Sequence, residues 1–183
     1  MKGVVFVEFL DMLESQHGWQ QLEELLESAN LASGGAYTAV GRYDWRELAQ
    51  LVELHANRQC ISPADILHGF GRHMFGALVE RFPELVARFD GVYDLLSHVE
   101  DCIHPTVHKL YPDSELPKFA TWVDDGELIM EYQSTRPLAD FAHGLIDGCF
   151  DYYRSVGNVT KEPLASGARF RVTLKQEAAC PTR

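Results

Sequence analysis

The spacing of apolar residues changes near Lys118, from the period of an amphipathic helix to the alternation of a β-strand. Beyond this point the alternating segments form two predicted hairpins, residues 119–123 with 128–133 and residues 158–162 with 168–174. Asp124-Asp125-Gly126 and Ala165-Ser166-Gly167 supply the turns. Helices followed by segregated antiparallel strands predict an α+β fold with a four-stranded antiparallel sheet.

Helices are predicted from apolar periodicity and from capping residues. They cover residues 3–17, 19–29, 45–57, 63–82, 84–89, 92–110 and 138–153. Asp44 and Ser62 are predicted N-caps, the first in a capping-box arrangement with Glu47. Pro105 should kink the helix over residues 92–110 or remove one of its hydrogen bonds. Gly157 is predicted to cap the helix that lies between the hairpins.

Charge and composition limit the class of protein. The net charge is −11, which disfavours nucleic acid and an anionic membrane surface as partners. No apolar run approaches the roughly 18 residues of a membrane span, and Glu8 interrupts a possible signal peptide. The cysteines are scattered without a Cys-x-x-Cys pair, at Cys60, Cys102, Cys149 and Cys180. This pattern predicts reduced thiols in a cytoplasmic protein.

Three side chains late in the chain form a candidate anion-binding group. Tyr132, Ser134 and Arg136 occupy alternate positions after a predicted strand, so an extended backbone would direct all three to one side. Two hydroxyl groups and a guanidinium fork suit a carboxylate. The pattern predicts an apolar pocket that ends in a site for the acidic tails of an amphipathic ligand.

The sequence contains no His-Glu-x-x-His, no zinc-spaced Cys/His cluster, no nucleophile elbow and no phosphate-binding glycine loop. His104 is the histidine of most interest, because it lies beside Ile103 in the helix that contains Pro105. It is either a half-buried helix histidine or an axial metal ligand that faces an apolar cavity. Periodicity alone does not choose between His104 and His108. Surface or helix-end positions without a special role are predicted for His17, His55, His68 and His98.

The order and spacing of these motifs resemble the H-NOX family. That family comprises haem nitric oxide/oxygen-binding domains and includes the haem domain of soluble guanylate cyclase. The main matches are Met1-Lys2-Gly3 before a helix, Ile103-His104-Pro105 before Tyr111-Pro112, and Tyr132-x-Ser134-x-Arg136. Further matches are Phe70-Gly71, Leu116-Pro117 and Gly144-Leu145-Ile146-x-Gly148. The resemblance implies one domain, with a helical subdomain over residues 1–60 and a haem-bearing helix and sheet subdomain over residues 61–183.

The resemblance also implies roles for individual residues. His104 matches the proximal ligand to the iron of a non-covalent b-type haem, and the lack of Cys-x-x-Cys-His excludes thioether links. Tyr132, Ser134 and Arg136 match the triad that holds the haem propionates, and Pro117 matches the proline that distorts the porphyrin. Pocket-lining positions, which are compatible with ordinary core packing, are matched by Val5, Phe9, Met74, Phe141 and Leu145.

The residue five positions after the motif arginine bears on which gas binds. Oxygen-binding members of the family carry a tyrosine there, whereas this chain has Phe141, with Phe9 and Met74 at neighbouring distal positions. Bound O₂ needs a hydrogen-bond donor, whereas NO bonds strongly to ferrous iron without one. The resemblance therefore implies binding of NO and CO and exclusion of O₂, with His73 and His143 pointing away from the haem.

Certain bacterial members of the family carry a cysteine-rich zinc site in the C-terminal half. Only Cys149 and Cys180 lie there in this chain, without further clustered ligands, so a structural zinc ion is not expected. Cys102, near His104, is predicted to be a packed thiol.

The resemblance implies a stand-alone gas sensor rather than an enzyme. Its partner would be a separate effector protein, either a histidine kinase or an enzyme that makes or breaks down cyclic-di-GMP. Two alternatives remain open. One is a haem enzyme that consumes NO or peroxide, which would need an acid–base pair near the haem. The other is a haem-free module that binds a small molecule through the same anion-binding group.

Overall fold

The computed structural model describes residues 1–176, so Cys180 lies outside the described part. The helices of the first part are α1 (Gly3–His17), α2 (Trp19–Ser28), α3 (Trp45–Gln59), α4 (Pro63–Arg81), α5 (Pro83–Val86) and α6 (Val92–Ser97). A π-helical segment, Val99–Ile103, leads into α7 (His104–Leu110). The remaining elements are β1 (Lys118–Asp124), β2 (Glu127–Gln133), α8 (Ala139–Tyr153), β3 (Val156–Leu164) and β4 (Gly167–Gln176).

The strands form one antiparallel sheet in the order β1-β2-β4-β3. Both predicted hairpins are present, with β1 paired to β2 and β3 paired to β4. Asp125 and Gly126 have φ angles of 48° and 81°, the left-handed backbone that the tight turn between β1 and β2 requires. The predicted α+β fold with a four-stranded antiparallel sheet is confirmed.

The interior consists of two apolar clusters. The N-terminal cluster is formed by α1–α4 and centres on fully buried side chains such as Phe6, Phe70 and Leu51. The C-terminal cluster joins the sheet to α6 and α8. Helix α4 contributes to both, because Met74 belongs to the first and Phe75 to the second. The division of the chain between residues 60 and 61 stays a prediction, and α4 connects the two parts.

Helices α4 and α8 are in direct backbone contact. A Cβ atom added to Gly144 would lie 1.9 Å from the carbonyl oxygen of His68, and one added to Gly71 would lie 2.2 Å from the carbonyl oxygen of Phe141. Real Cβ atoms do not approach backbone so closely. Gly71 and Gly144, from the two glycine motifs of the sequence, therefore form the contact that sets the distance between α4 and α8.

The predicted continuous helix over residues 92–110 is instead interrupted before Pro105. In the π-helical segment the N–H of Ile103 donates to the carbonyl of His98 at 3.2 Å, one residue further back than in an α-helix. Helix α7 then begins at His104 with Pro105 in its first turn, where a missing N–H costs little. The irregularity thus lies on the N-terminal side of His104, as π-bulges at functional sites often do.

Two local predictions are wrong. Helix α8 ends at Arg154, which adopts the left-handed conformation with φ 53°, while Gly157 lies within β3. The carboxylate of Glu47 does not return to the N-cap Asp44. It accepts a hydrogen bond from the hydroxyl of Tyr37 at 3.0 Å, so it links α3 to the preceding loop instead. The cap itself is confirmed, since the Asp44 side chain accepts from the backbone N–H of Arg46.

Among residues 1–176, none of the helices combines the length and the apolar character that crossing a membrane requires.

Candidate functional site

A cavity of about 290 Å³ lies between the two apolar clusters. Its walls come from α1, α3 to α6, the π-helical segment, α7, the loop before β1, strands β1 and β2, and α8. The sequence-predicted residues that line it are Val5, Met74, His104, Pro117, Tyr132, Ser134, Arg136, Phe141 and Leu145. Residues from distant parts of the sequence thus meet at one site.

Phe9 does not lie in the cavity wall, contrary to the expectation for that residue. It is fully buried in the N-terminal cluster, where its ring packs edge-on against Phe70 with 5.0 Å between the centroids. Phe70 lines the cavity in its place. Val5 and Phe9 share one face of α1, but Phe70 covers the Phe9 ring, so only Val5 lines the cavity.

His104 is the histidine that faces the cavity. Its side chain is 13% exposed, and its Nδ1 lies 3.2 Å from a carboxylate oxygen of Glu100. The same oxygen accepts the backbone N–H of Phe119 at 3.1 Å, so Glu100 ties α7 to β1. His108 is exposed and its Nδ1 lies 3.1 Å from the hydroxyl of Ser114.

The hydrogen bond to Glu100 fixes the chemistry of the His104 ring. A proton on Nδ1 that is donated to the carboxylate leaves the Nε2 lone pair as the metal-binding group. Burial lowers the pKa of His104, and the negative charge and hydrogen bond of Glu100 oppose that lowering. The imidazole is therefore neutral at neutral pH, as a ligand must be. Sequence reasoning missed Glu100, although an acidic residue four positions before a helical histidine has the spacing of a side-chain pair.

The anion-binding group is assembled differently from the prediction. Strand β2 ends at Gln133, and the backbone N–H of Arg136 donates to the hydroxyl of Ser134 at 3.1 Å. The chain is therefore bent after Ser134 rather than extended, because the serine hydroxyl offers the backbone a local partner. Tyr132, Ser134 and Arg136 nevertheless line the same cavity. Burial raises the pKa of Tyr132, so its hydroxyl stays protonated and able to donate.

The guanidinium of Arg136 already holds a carboxylate. Its side chain is 11% exposed, and its Nη1 donates to the backbone carbonyl of Glu115 at 3.1 Å. Its Nη2 pairs with the Glu115 carboxylate, which also pairs with Arg42. Glu115 shows that an acidic group of the size of a propionate fits against this fork.

The wall formed by α1, α4 and α8 is largely apolar. Its cavity-facing residues include Val5, Phe70, Met74, Phe141 and Leu145, and within residues 1–176 no hydroxyl-bearing side chain of these helices lines the cavity. His73 and His143 do not line it either.

Sequence reasoning missed the polar residues of this wall, which are Glu8 and Arg81. They form an ion pair with 2.5 Å between Glu8 Oε1 and Arg81 Nη2. The Nε2 of His73 lies 3.9 Å from the other oxygen of Glu8 and, within the described residues, has no hydrogen-bond partner. The residues of this cluster come from α1 and α4, and their distance in sequence hid the cluster.

These features define a class of protein. A neutral imidazole with its Nδ1 held in place, an apolar cavity, and a guanidinium fork beside two hydroxyls match the three parts of a haem: iron, porphyrin and propionates. The residues present therefore fit a histidine-ligated haem.

Comparisons with known proteins assign the chain to a family. The family described as Haem-NO-binding matches residues 2–161, and the chain belongs to this family. H-NOX domains of this kind are haem-based gas sensors rather than enzymes. No curated protein matches the chain.

Solved structures support the same assignment. An H-NOX protein from Shewanella woodyi, bound to IWP-051 in the Fe(II)CO state, is 36% identical over 100% of this chain and 99% of its own, with a TM-score of 0.81. The Fe(II) unliganded H-NOX protein from K. algicida is 29% identical over 96% and 97%, with a TM-score of 0.90. An H-NOX protein from S. oneidensis in the Fe(II)NO state is 26% identical over 96% and 100%, with a TM-score of 0.89.

Proposed function

We propose that this chain is a cytoplasmic sensor that binds NO and CO at a b-type haem, excludes O₂, and signals to a separate effector protein. The observation that carries the proposal is the meeting of His104, Arg136 and an apolar wall at one cavity. Relatives solved in the Fe(II)NO and Fe(II)CO states support the choice of gases.

Different residues of the cavity would hold different parts of the haem. Nε2 of His104 would bind the iron, while Tyr132, Ser134 and Arg136 would bind the propionates. When bound, the haem would supply a ferrous iron that can bind a diatomic gas. Glu115 is 58% exposed, so its carboxylate can turn to solvent and leave Arg136 to a propionate.

Variants of two neighbouring histidines test this assignment. His104 and His108 are one helical turn apart, and only His104 lines the cavity. We expect the purified wild-type protein to carry haem with a strong Soret band, His104→Gly to lose or weaken that band, and His108→Gly to keep it. Equal loss in both variants would contradict the assignment of His104. A colourless wild-type protein that takes up no haem would favour the haem-free alternative.

Gas selectivity would follow from the lack of free hydrogen-bond donors in the wall formed by α1, α4 and α8 within residues 1–176. Bound O₂ is stabilised by a donor, whereas NO and CO bind without one. Arg81 is the one cationic side chain of α1, α4 or α8 in this wall within residues 1–176, and its Nη2 is committed to Glu8. We therefore expect the wild-type protein to give the same spectrum in air as under argon.

Position 141 provides the test of this mechanism. Phe141→Tyr would add a hydroxyl donor to the wall, whereas Phe141→Leu changes its shape without adding one. We expect a spectral change in air for Phe141→Tyr alone. A change in both variants would mean that size rather than hydrogen bonding excludes O₂.

Signalling would start at His104. This residue begins α7 directly after the π-helical segment, and Glu100 couples it to β1. A change in the bond that His104 would make to the iron would act on the segment from 99 to 110, and α4, which contributes to both apolar clusters, would connect it to the predicted subdomain over residues 1–60. A ligand that binds one of two states better shifts the population between them.

The effector would be a histidine kinase or a cyclic-di-GMP synthase or phosphodiesterase. The experiment adds the purified protein, with and without NO, to such an enzyme from the same organism and follows its activity. We expect NO to change the activity in the presence of wild-type protein. His104→Gly protein should have the same effect with and without NO. An enzyme that responds to NO equally without this protein would contradict the proposal.

The haem-enzyme alternative gains one observation, the Glu8–Arg81 ion pair at the cavity wall with His73 beside it. Catalysis of peroxide cleavage would need a free base and a free donor there. In the described residues Glu8 and Arg81 neutralise each other instead. We expect no turnover of peroxide or NO by the wild-type protein, and turnover that Glu8→Gln abolishes would establish the enzyme alternative.

A further inference from the structure

A second group of potential metal ligands lies outside the haem cavity, between α4 and α8. His68, His143 and Asp147 each offer one ligand atom, and these atoms all lie within 4.8 Å of one another. His68 Nε2 is 2.8 Å from Asp147 Oδ2, and His143 Nε2 is 4.0 Å from the same oxygen. None of the three lines the haem cavity.

The backbone positions these side chains before any ion arrives. His143 and Asp147 are four residues apart on α8, so their side chains share one face of that helix. His68 reaches them from α4 because Gly144, next to His143, brings the two backbones into contact at the His68 carbonyl. Ligands on two helices fixed by a glycine contact form a more rigid site than ligands on loops.

The three side chains are also accessible to solvent, and the negative charge of Asp147 suits a cation. The side chains of His68, His143 and Asp147 are 30%, 22% and 31% exposed, which leaves room for water to complete a coordination shell. The positive charge of Lys161, which acts on His143, is paired with Asp140. Two imidazoles and one carboxylate are a ligand set that zinc takes in open three-residue sites.

A simpler interpretation is that His68 and Asp147 form only an interhelical bond. One turn further along both helices, Arg72 and Asp151 do this with 2.6 Å between Nη2 and Oδ2. His143 distinguishes the two cases, because a bonded His68–Asp147 pair does not need a second imidazole. Its ring meets that of His68 edge-on, with 4.9 Å between the centroids.

We propose that His68, His143 and Asp147 form a zinc-binding site that joins α4 to α8. The site needs no cysteine, so it is distinct from the cysteine-rich site considered in the sequence. It also lies on two helices of the wall formed by α1, α4 and α8, because Met74 of α4 and Phe141 of α8 line the haem cavity. A bound ion would hold together the two helices that shape this wall.

Calorimetric titration of the haem-loaded 183-residue protein with zinc chloride tests the site. We expect one equivalent to bind to the wild-type protein. His143→Gln and Asp147→Asn should weaken that binding by more than the roughly 10- to 100-fold that loss of an outer-shell partner costs. His98→Gln is the matched control, because His98 Nδ1, just after α6, lies 3.2 Å from Asp94 and, within residues 1–176, belongs to no group of three ligands. This variant should bind zinc as the wild type does.

Thermal melting with and without zinc provides a second measurement. Zinc should raise the melting temperature of the wild type and of His98→Gln but not that of Asp147→Asn, because an ion that binds the folded state stabilises it. Identical zinc binding by the wild type, His143→Gln and Asp147→Asn would overturn the proposal and assign the ion to other groups such as the thiols. No binding by the wild type would also overturn it, and neither result would affect the haem assignment.

Discussion

Replacing Gly144 by alanine should destabilise the protein although alanine favours helices. In an open helix interior this change gains about 0.5–1 kcal/mol. At position 144 the added Cβ would lie 1.9 Å from the His68 carbonyl oxygen, whereas ordinary contact begins at 3.4 Å. The backbones of α4 and α8 must therefore separate by about 1.5 Å. Overpacking of this kind costs about 1–3 kcal/mol, so we expect a net loss in the free energy of unfolding.

Gly76 is the matched control for this prediction. It lies on α4, and an added Cβ would meet nothing within 4 Å. Urea unfolding followed by circular dichroism should give Gly144→Ala a lower midpoint than the wild type and Gly76→Ala a higher one. If Gly144→Ala is as stable as Gly76→Ala, then the glycine contact does not set the distance between α4 and α8.

The remaining predictions concern the haem ligands and pH. Arg136→Ala should lose haem about 10- to 100-fold faster in transfer to an acceptor protein, given about 1.5–3 kcal/mol for a charged hydrogen bond, whereas a rate equal to that of Arg42→Ala would contradict a propionate role. Glu100→Ala should weaken the iron–histidine bond more than Glu100→Gln, whose oxygen still accepts from His104. Resonance Raman checks this, and an unshifted stretching band in Glu100→Ala would be the contrary result. His55 is buried in α3, contrary to the surface or helix-end position predicted for it. Burial lowers its pKa, so stability present above its usual pKa near 6.5 is lost as the pH falls below it. The melting temperature of His55→Gln should therefore fall less than that of the wild type on acidification, and equal falls would show that His55 is not the group responsible.

The elements set by local signals were predicted well from the sequence. Asp125-Gly126 was enough to predict the first hairpin turn. A hydroxyl residue before Pro63 was enough to predict the Ser62 cap, and the Ser62 Oγ accepts the N–H of Asp65 at 3.1 Å. The failures occur where one local signal competes with another. Gly157 favoured a helix end, but Arg154 adopts the left-handed conformation three residues earlier.

Contacts between residues far apart in sequence could not be derived from spacing. Glu8 and Arg81 meet only because α1 packs on α4, and neither residue belongs to a sequence motif. The choice between His104 and His108 also needed the structure, because residues one turn apart share a helix face. In the structure His104 lines the cavity and contacts Glu100, whereas His108 is exposed and contacts Ser114.

The most direct test of the proposed function is the absorption spectrum of the purified ferrous protein under argon, air, CO and NO. We predict a Soret band that is the same in air as under argon and that shifts with CO and with NO. A stable spectral change in air that argon reverses would contradict the exclusion of O₂ by an apolar wall.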